Sequence, residues 1–318
     1  MRLGIISDVH ANLHALKAVC VHAKKMQVKP ESWIFLGDAV GYGPAPVETI
    51  QLLSGMVKNP RRWFVGNHDV GVLGLAPLPV SEEAAFTQRE HRQIIKETAP
   101  DLWDRINTEW TIKKANARRC IKGLDYWFCH AAFPRVPGIW VDQVLVNPFP
   151  WAEDDGFDRK ESIFRMLESK RLNDGPAVYF HGHSHLPYAK GIVRGENASR
   201  HLPIQYADTP DQFLYQIREY DRIIFCAGSV GQPRNPDPVA HAAYGVLDTT
   251  AETFQFCRVP YNSEWVWSEM KNRGYPLELV EILKGYYPDN VYWKTKGKGT
   301  KYKWDTLFKE SDTGWDVL

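Results

Sequence analysis

The stretch YFHGHSHLP, residues 179–187, sets His181, His183 and His185 at every second position directly after an apolar run, in a chain with only 11 histidines. Four other short segments carry side chains of the same kind: Asp8 and His10 in SDVH, Asp38 in LGD, Asn67, His68 and Asp69 in GNHD, and His130 in FCH. Carboxylates, imidazoles and a neutral amide make a hard-to-borderline donor set without thiolate. Such a set suits Mn, Fe, Zn, Ni or Mg rather than a structural zinc knot. No G-x-x-x-x-G-K-[ST] loop, no G-x-G-x-x-G after a strand and no G-x-S-x-G elbow competes with it. Taken singly, each segment is a weak signal, because histidine often forms a polar tip at a strand end and period-two spacing puts alternate residues on one face whatever their use.

Their positions along the chain give them weight. Short runs rich in Ile, Val, Phe, Leu and Trp read as buried strands: RLGIIS (2–7), SWIFLG (32–37), RRWFVG (61–66), YWFC (126–129), AVYF (177–180), RIIFCA (222–227), AYGVLD (243–248) and TFQFCRV (253–259). The first five of these are each followed at the carboxyl end by oxygen or imidazole groups, which is where ligands gather in open α/β sheets. Helical spacing follows the first strand at Leu13, Leu16 and Val19, and the second at Val47, Ile50, Leu52 and Leu53. Strands alternating with helices predict an α/β core that starts with parallel strands, and the helix-poor later runs predict antiparallel additions. The expectation is a two-sheet β-sandwich flanked by helices.

The Pro- and aromatic-rich stretch 133–157 reads as a long ordered loop, and 191–221 as a loop or a hairpin. The main domain is expected over 1–259, with a helical extension and basic tail over 260–318 packed on it. In that extension Trp265, Val266 and Met270 form one stripe, and Leu277, Leu279, Val280 and Leu283 a second after Pro276.

The 318 residues, 44% of them hydrophobic, suffice for a sizeable core, and a formal charge of +1 predicts no strong pull toward nucleic acid or anionic membrane. The apolar N-terminal stretch is short and interrupted by Asp8, so a soluble cytoplasmic protein is expected. Cys20, Cys120, Cys129, Cys226 and Cys257 have no C-x-x-C spacing and read as small buried side chains.

Together the blocks Asp8-Val-His10, Gly37-Asp38, Gly66-Asn67-His68-Asp69, His130 and Gly182-His183-Ser184-His185 resemble the calcineurin-like metallophosphoesterase superfamily, whose motifs run D-x-H, G-D, G-N-H-[DE], a lone H and G-H-x-H. The resemblance spans residues 1 to 285, and GDAVGYGPAP (37–46) and AGSVGQPRNP (227–236) are similar to its small prokaryotic, phosphodiesterase-like branch. It implies a four-layer α/β/β/α fold and a binuclear centre in which Asp38 bridges two divalent ions, with Mn²⁺ the leading candidate. Asp8, His10 and His185 would complete one site, and Asn67, His130 and His183 the other. His68 would bind no metal and would lie beside the scissile phosphate as general acid. Arg234 reads equally as a phosphate fork or a surface ion pair. Ser184 replaces the usual threonine, Ala11 stands where glycine is common, and Asn12 reads as a helix N-cap. His181 falls outside the motif and reads as an ordinary polar residue.

The expected function is hydrolysis of phosphomono- or phosphodiester bonds in a small phosphorylated molecule or nucleotide. Gly41 and Tyr42 replace the Asp and Arg that protein phosphatases carry after G-D, which weakens that alternative. A dinucleoside polyphosphate hydrolase and an inactive protein-binding scaffold of the same fold are the others, and the complete ligand set speaks against the scaffold. Nucleic-acid binding would rest on the composition of the Tyr292–Trp304 tail alone, so neither nucleic acid nor membrane is an expected partner. Nothing in the sequence speaks to oligomeric state.

Overall fold

Alternation along the first strands decides how the layers form. In β1 (Arg2–Ile6) Leu3 and Ile5 face one way and Ile6 the other, and in β2 (Trp33–Phe35) Ile34 opposes Trp33 and Phe35. A sheet with two apolar faces must be covered on both. The computed structural model describes residues 1–75, 80–110, 116–121, 123–131, 177–197, 199–234 and 240–283. Within these, β1 and β2 pair in parallel, and β10 (His241–Asp248), β11 (Thr253–Pro260) and β8 (Tyr215–Gln216) extend the sheet antiparallel, in the order β2-β1-β10-β11-β8. The second sheet has the order β3-β4-β5-β9-β6-β7, from β3 (Asn116–Ile121), β4 (Leu124–Cys129), β5 (Ala177–His181), β9 (Tyr220–Cys226), β6 (Tyr188–Val193) and β7 (Arg200–Leu202). Its central strands β4, β5 and β9 run parallel, and β3, β6 and β7 are antiparallel additions.

The inner faces meet in one core. Leu3, Ile5, Ile34, Phe254 and Phe256 from the first sheet pack against Tyr126, Phe128, Phe180 and Phe225 from the second. Helices α1 (Leu13–Lys25), α2 (Pro46–Met56), α4 (Glu82–Thr98) and α5 (Pro100–Glu109) cover the outer face of the first sheet. The short α3 (Asn67–Leu73) lies between β2 and α4 in the chain. The result is two mixed sheets flanked by helices, as expected. Among the described residues no helix covers the outer face of the second sheet, and the 133–157 segment, residues 235–239 and the tail beyond 283 lie outside the described residues.

Several elements differ from the sequence reading. The run 61–66 is not a strand: Pro60 starts a single 3₁₀ turn through Arg62, capped by Asn59, and only one bridge, Phe35 to Trp63, reaches the sheet. The 191–221 segment contains a hairpin, with β6 pairing β7, and then crosses to the first sheet as β8. α6 (Ser263–Asn272) and α7 (Leu277–Leu283) form as expected, yet Trp265 and Leu277 are 53% and 62% exposed and lie off the buried stripes. Val266, Met270, Leu279, Val280 and Leu283 pack instead with Tyr42 and Ala84.

Candidate metal centre

The site forms where parallel strands of both sheets end. Asp8 and His10 follow β1, Asp38 follows β2, His130 follows β4, and His183 and His185 follow β5. Asn67 and His68 open α3, with Gly66 at its N-cap, so Asp69 stands in the first turn of a helix. The loops are tied by main-chain bonds: Val9 and His10 N–H both donate to Asp38 O (2.9 and 3.0 Å), Gly231 N–H to Asp8 O (3.0 Å), and Gly182 N–H to His130 O (2.7 Å). Asp69 anchors the Asp38 turn, accepting N–H bonds from Asp38 (2.9 Å), Ala39 (2.8 Å), Val40 (3.4 Å) and Gly66 (3.0 Å).

Close packing explains the motif glycines. A Cβ on Gly66 would stand 2.1 Å from Asp38 Oδ1, and one on Gly182 would stand 1.7 Å from Ser7 Oγ. The backbone is also held in the left-handed region at Asp8, His10, Ala11, Asp38, Tyr42, His183 and His185, leaving Gln27, Phe213 and Glu252 as the other described non-glycine residues with positive φ. Each such residue costs of order 1 kcal/mol or more, and strain of this kind gathers where side chains must converge. It also ends the period-two geometry: His181, still in β5, turns to Gly182 O (2.8 Å) and the Tyr188 hydroxyl, away from the other two histidines.

All seven side chains expected as ligands come together, with His68 beside them. Three groups have donor atoms within 4.8 Å of one another: Asp8, His10 and His185; His10, Asp38 and His68; Asp38, His130 and His183. Asn67 Oδ1 lies 3.0 Å from both His130 Nε2 and His183 Nδ1. Asp38 is shared between two of the groups and reaches His130 Nε2 at 3.3 Å and His10 Nε2 at 3.8 Å through Oδ2.

The donor chemistry fits a cation. His10 Nδ1 faces Val40 O at 3.0 Å and His185 Nδ1 faces Gln232 O at 2.7 Å, so those nitrogens carry the N–H and both Nε2 atoms are bare lone pairs. The two lone pairs approach to 3.0 Å, with Asp8 Oδ1 only 3.3 Å from His185 Nε2. A cluster that only accepts is repulsive by itself and is made favourable by a positive ion among its atoms. A ring N–H on a main-chain carbonyl is also the usual way a metal-binding imidazole is oriented. His130 Nδ1 faces Leu36 O (2.9 Å) in the same manner.

Comparison with known proteins agrees with this geometry. The sequence model of the calcineurin-like phosphoesterases matches residues 1–225. The chain belongs to the calcineurin-like phosphoesterase family. An uncharacterized protein of Methanocaldococcus jannaschii is 31% identical over 283 residues, covering 88% of this chain and 96% of its own. Among solved structures, a metallophosphoesterase from Sphaerobacter thermophilus is 26% identical, with a TM-score of 0.59 over 90% of this chain and 98% of its own. A hypothetical protein of Pyrococcus horikoshii, 15% identical, shares the fold with a TM-score of 0.59 over 89% of this chain and 97% of its own.

In this family member, burial and charge sort the titrating groups. Burial pushes the Asp8 and Asp38 carboxyls up, but the neighbouring imidazoles in their charged form, His185 for Asp8 and His130 for Asp38, outweigh it and hold both well below the usual carboxylate range, a role that falls to a bound cation where the rings are neutral. Burial pulls His10, His183 and His185 down, keeping them neutral as metal ligands must be. For His130, burial is outweighed by the Asp38 charge, which raises it to about 9, so proton and cation compete for that nitrogen. Burial lowers His68 to about 4. Burial and the Asp38 charge push Asp69 up to about 7, against the pull of its N–H donors.

Asn12 caps α1 by accepting from Ala15 N–H (3.1 Å), and it also donates to Gly231 O (2.9 Å), tying the Asp8 loop to the Gln232 loop. Arg234, half-buried, lies near enough to His185 and Tyr42 to act on both electrostatically. Sequence reasoning missed Tyr42, whose ring centroid is 4.4 Å from that of His68 and 4.7 Å from that of His10. It also missed His91, whose only signal would have been a buried histidine on a helix. Among the described residues no helix is long and apolar enough to cross a membrane.

Proposed function

We propose that this family member is a cytoplasmic, metal-dependent phosphoesterase that hydrolyses a phosphomono- or phosphodiester bond of a small phosphorylated molecule or nucleotide at a binuclear centre. The acceptor-only convergence of Asp8, His10 and His185 next to Asp38, His130 and His183 carries this reading. In it, Asp8, His10 and His185 would hold one ion, Asn67, His130 and His183 the other, and Asp38 would serve both. Divalent cations there, Mn²⁺ foremost, would neutralise phosphoryl oxygens and lower the pKa of a water nucleophile. Asp38 suits the shared position because Oδ2 faces both His130 and His10, one from each proposed ion's set, while Oδ1 accepts the His68 N–H at 2.8 Å and fixes the carboxylate. Asn67, being neutral, keeps the site positive enough to attract an anion.

His68, which burial alone keeps neutral, is assigned the proton for the leaving oxygen once a phosphoryl anion beside it favours the charged ring, and Arg234 at the edge of the site the role of a planar fork for the phosphoryl group. A ring nitrogen of His68 also lies within 4.8 Å of donor atoms of His10 and Asp38, so the experiment must separate acid from ligand. His68→Asn is expected to leave metal content intact and to slow alkyl phosphoesters about 10²-fold or more, while a nitrophenyl ester, whose leaving group is already a stable anion, suffers less. Measuring kcat/KM on both esters alongside elemental analysis decides it. Equal losses on both esters would make His68 a phosphate binder, and lost metal would make it a ligand.

A further inference from the structure

The His68 imidazole is held in an unusual way. Its main-chain N–H is fixed on Asp38 Oδ1, but its buried Nδ1 has no hydrogen-bond partner. Rotation of an imidazole about χ2 is soft, so a ring without such a bond takes its orientation from what it packs against. Two rings do this: Tyr42 at 4.4 Å, tilted 56°, and His10 at 4.8 Å, edge-on. On the remaining side is Gly41, where a Cβ would stand 2.3 Å from Nδ1, so the backbone itself approaches the ring.

The Tyr42 ring is placed from behind. Gly41 and Tyr42 have φ of 89° and 63°, a turn that a tyrosine adopts only when its surroundings impose it. The imposing group is His91 of α4. Its Nδ1 accepts the Gly41 N–H at 3.0 Å, which leaves the hydrogen on Nε2, and Nε2 donates to Gly43 O at 2.8 Å. The Tyr275 hydroxyl, from the α6–α7 connection, donates to the same carbonyl at 3.2 Å. Both neighbours of Tyr42 are thereby pinned by fully formed bonds, and its ring packs with Ala84, Val266, Met270 and Leu279.

We propose that Tyr42 is a positioning residue: its ring, carried on a left-handed turn pinned by His91 and Tyr275, sets the orientation of the His68 imidazole and with it the efficiency of leaving-group protonation. The catalytic consequence rests on the phosphoesterase reading above, whereas the placement of His68 does not.

The test uses the full-length, metal-loaded protein in three forms: wild type, Tyr42→Phe and Tyr42→Leu. Leucine keeps an apolar side chain in the cluster with Val266, Met270 and Leu279, so the variant folds where alanine would leave a hole. Crystal structures report the His68 ring, and kcat/KM on a nitrophenyl and an alkyl phosphoester reports the chemistry. In Tyr42→Leu the His68 ring is expected to turn or to occupy two orientations. The nitrophenyl-to-alkyl ratio of kcat/KM should rise about tenfold or more with metal content unchanged. Tyr42→Phe restores both, and Tyr275→Phe, which loses the hydroxyl's contacts with Gly43 O and His91 Nε2, moves the ratio in the same direction by less. An unmoved, single His68 ring in Tyr42→Leu overturns the proposal. So does a Tyr42→Phe variant as impaired as Tyr42→Leu, which would make the hydroxyl the working part. A wild type without phosphoesterase activity, but with a His68 ring that turns in Tyr42→Leu, would overturn the functional reading and support the placement.

Discussion

Asp69 touches none of the candidate ligand atoms through space that a metal would fill, yet its replacement should be among the costly ones. All four of its hydrogen bonds are accepted from main-chain N–H groups, two on each oxygen: Asp38 and Gly66 on Oδ2, Ala39 and Val40 on Oδ1. Asp69→Asn keeps the shape but turns one oxygen into an NH₂ that faces donors. The cheaper orientation sacrifices the Oδ1 side, with one good bond of 2.8 Å and one long bond of 3.4 Å. A buried donor left without a partner costs about 1–3 kcal/mol, so the variant should lose roughly 2–4 kcal/mol of stability. Asp69→Ala, which leaves all four donors bare, should lose more. Urea unfolding of the three proteins at pH 7.5, with matched metal content and unchanged m-values, measures this. A loss below about 1 kcal/mol for Asp69→Asn would refute the reasoning. It would mean that burial and the Asp38 charge keep the carboxyl protonated, so that the wild type already presents one donor to that N–H cluster.

Two further outcomes follow. Asp38→Asn, isosteric but uncharged, should lower metal content and reduce turnover by more than about 10²-fold while the circular dichroism spectrum is retained, since even residues behind a metal ligand are worth 10–100-fold; a variant with full metal content and near-normal rate would remove Asp38 from the shared position. His91, which burial holds down at about 3 against 6.5 in an unfolded chain, binds fewer protons folded than unfolded between those values, so its contribution is complete above pH 6.5 and is lost as pH falls toward 3. Unfolding free energies of wild type and His91→Gln between pH 6 and pH 4 should therefore diverge in slope by about 1.4 kcal/mol per pH unit, the wild type being the steeper, and parallel slopes would contradict the buried, neutral imidazole.

The ligand-bearing positions other than Asn67 were legible because each sits within a few residues of a strand end, where local apolar runs and the following polar residues mark it. Asp8, Asp38, His130 and His183 are all of this kind. The two-sheet fold was legible for the same reason, since β1, β4, β5, β9, β10 and β11 are runs of buried apolar side chains. What escaped depends on distant partners. Strand β7, with Arg200 and His201, and β8, with Gln216, carry polar residues and exist through pairing with β6 and β11. The run 61–66 looks like a strand in composition, but Pro60 and the cap on Asn59 commit its start to a turn. His91 meets Gly41 from 50 positions away, and Tyr275 meets Gly43 from 232 away, so no local pattern announces that they pin the Tyr42 turn.

The central claim is a binuclear hydrolytic centre, and stoichiometric reconstitution tests it most directly. Chelator-treated protein, shown by elemental analysis to be free of metal, would be titrated with Mn²⁺ while hydrolysis of a nitrophenyl phosphodiester and a nitrophenyl phosphomonoester is followed. The expected result is no turnover in the stripped protein and activity that rises until two equivalents per chain are bound. Full turnover without metal, or activity that saturates at one bound ion, would contradict the claim.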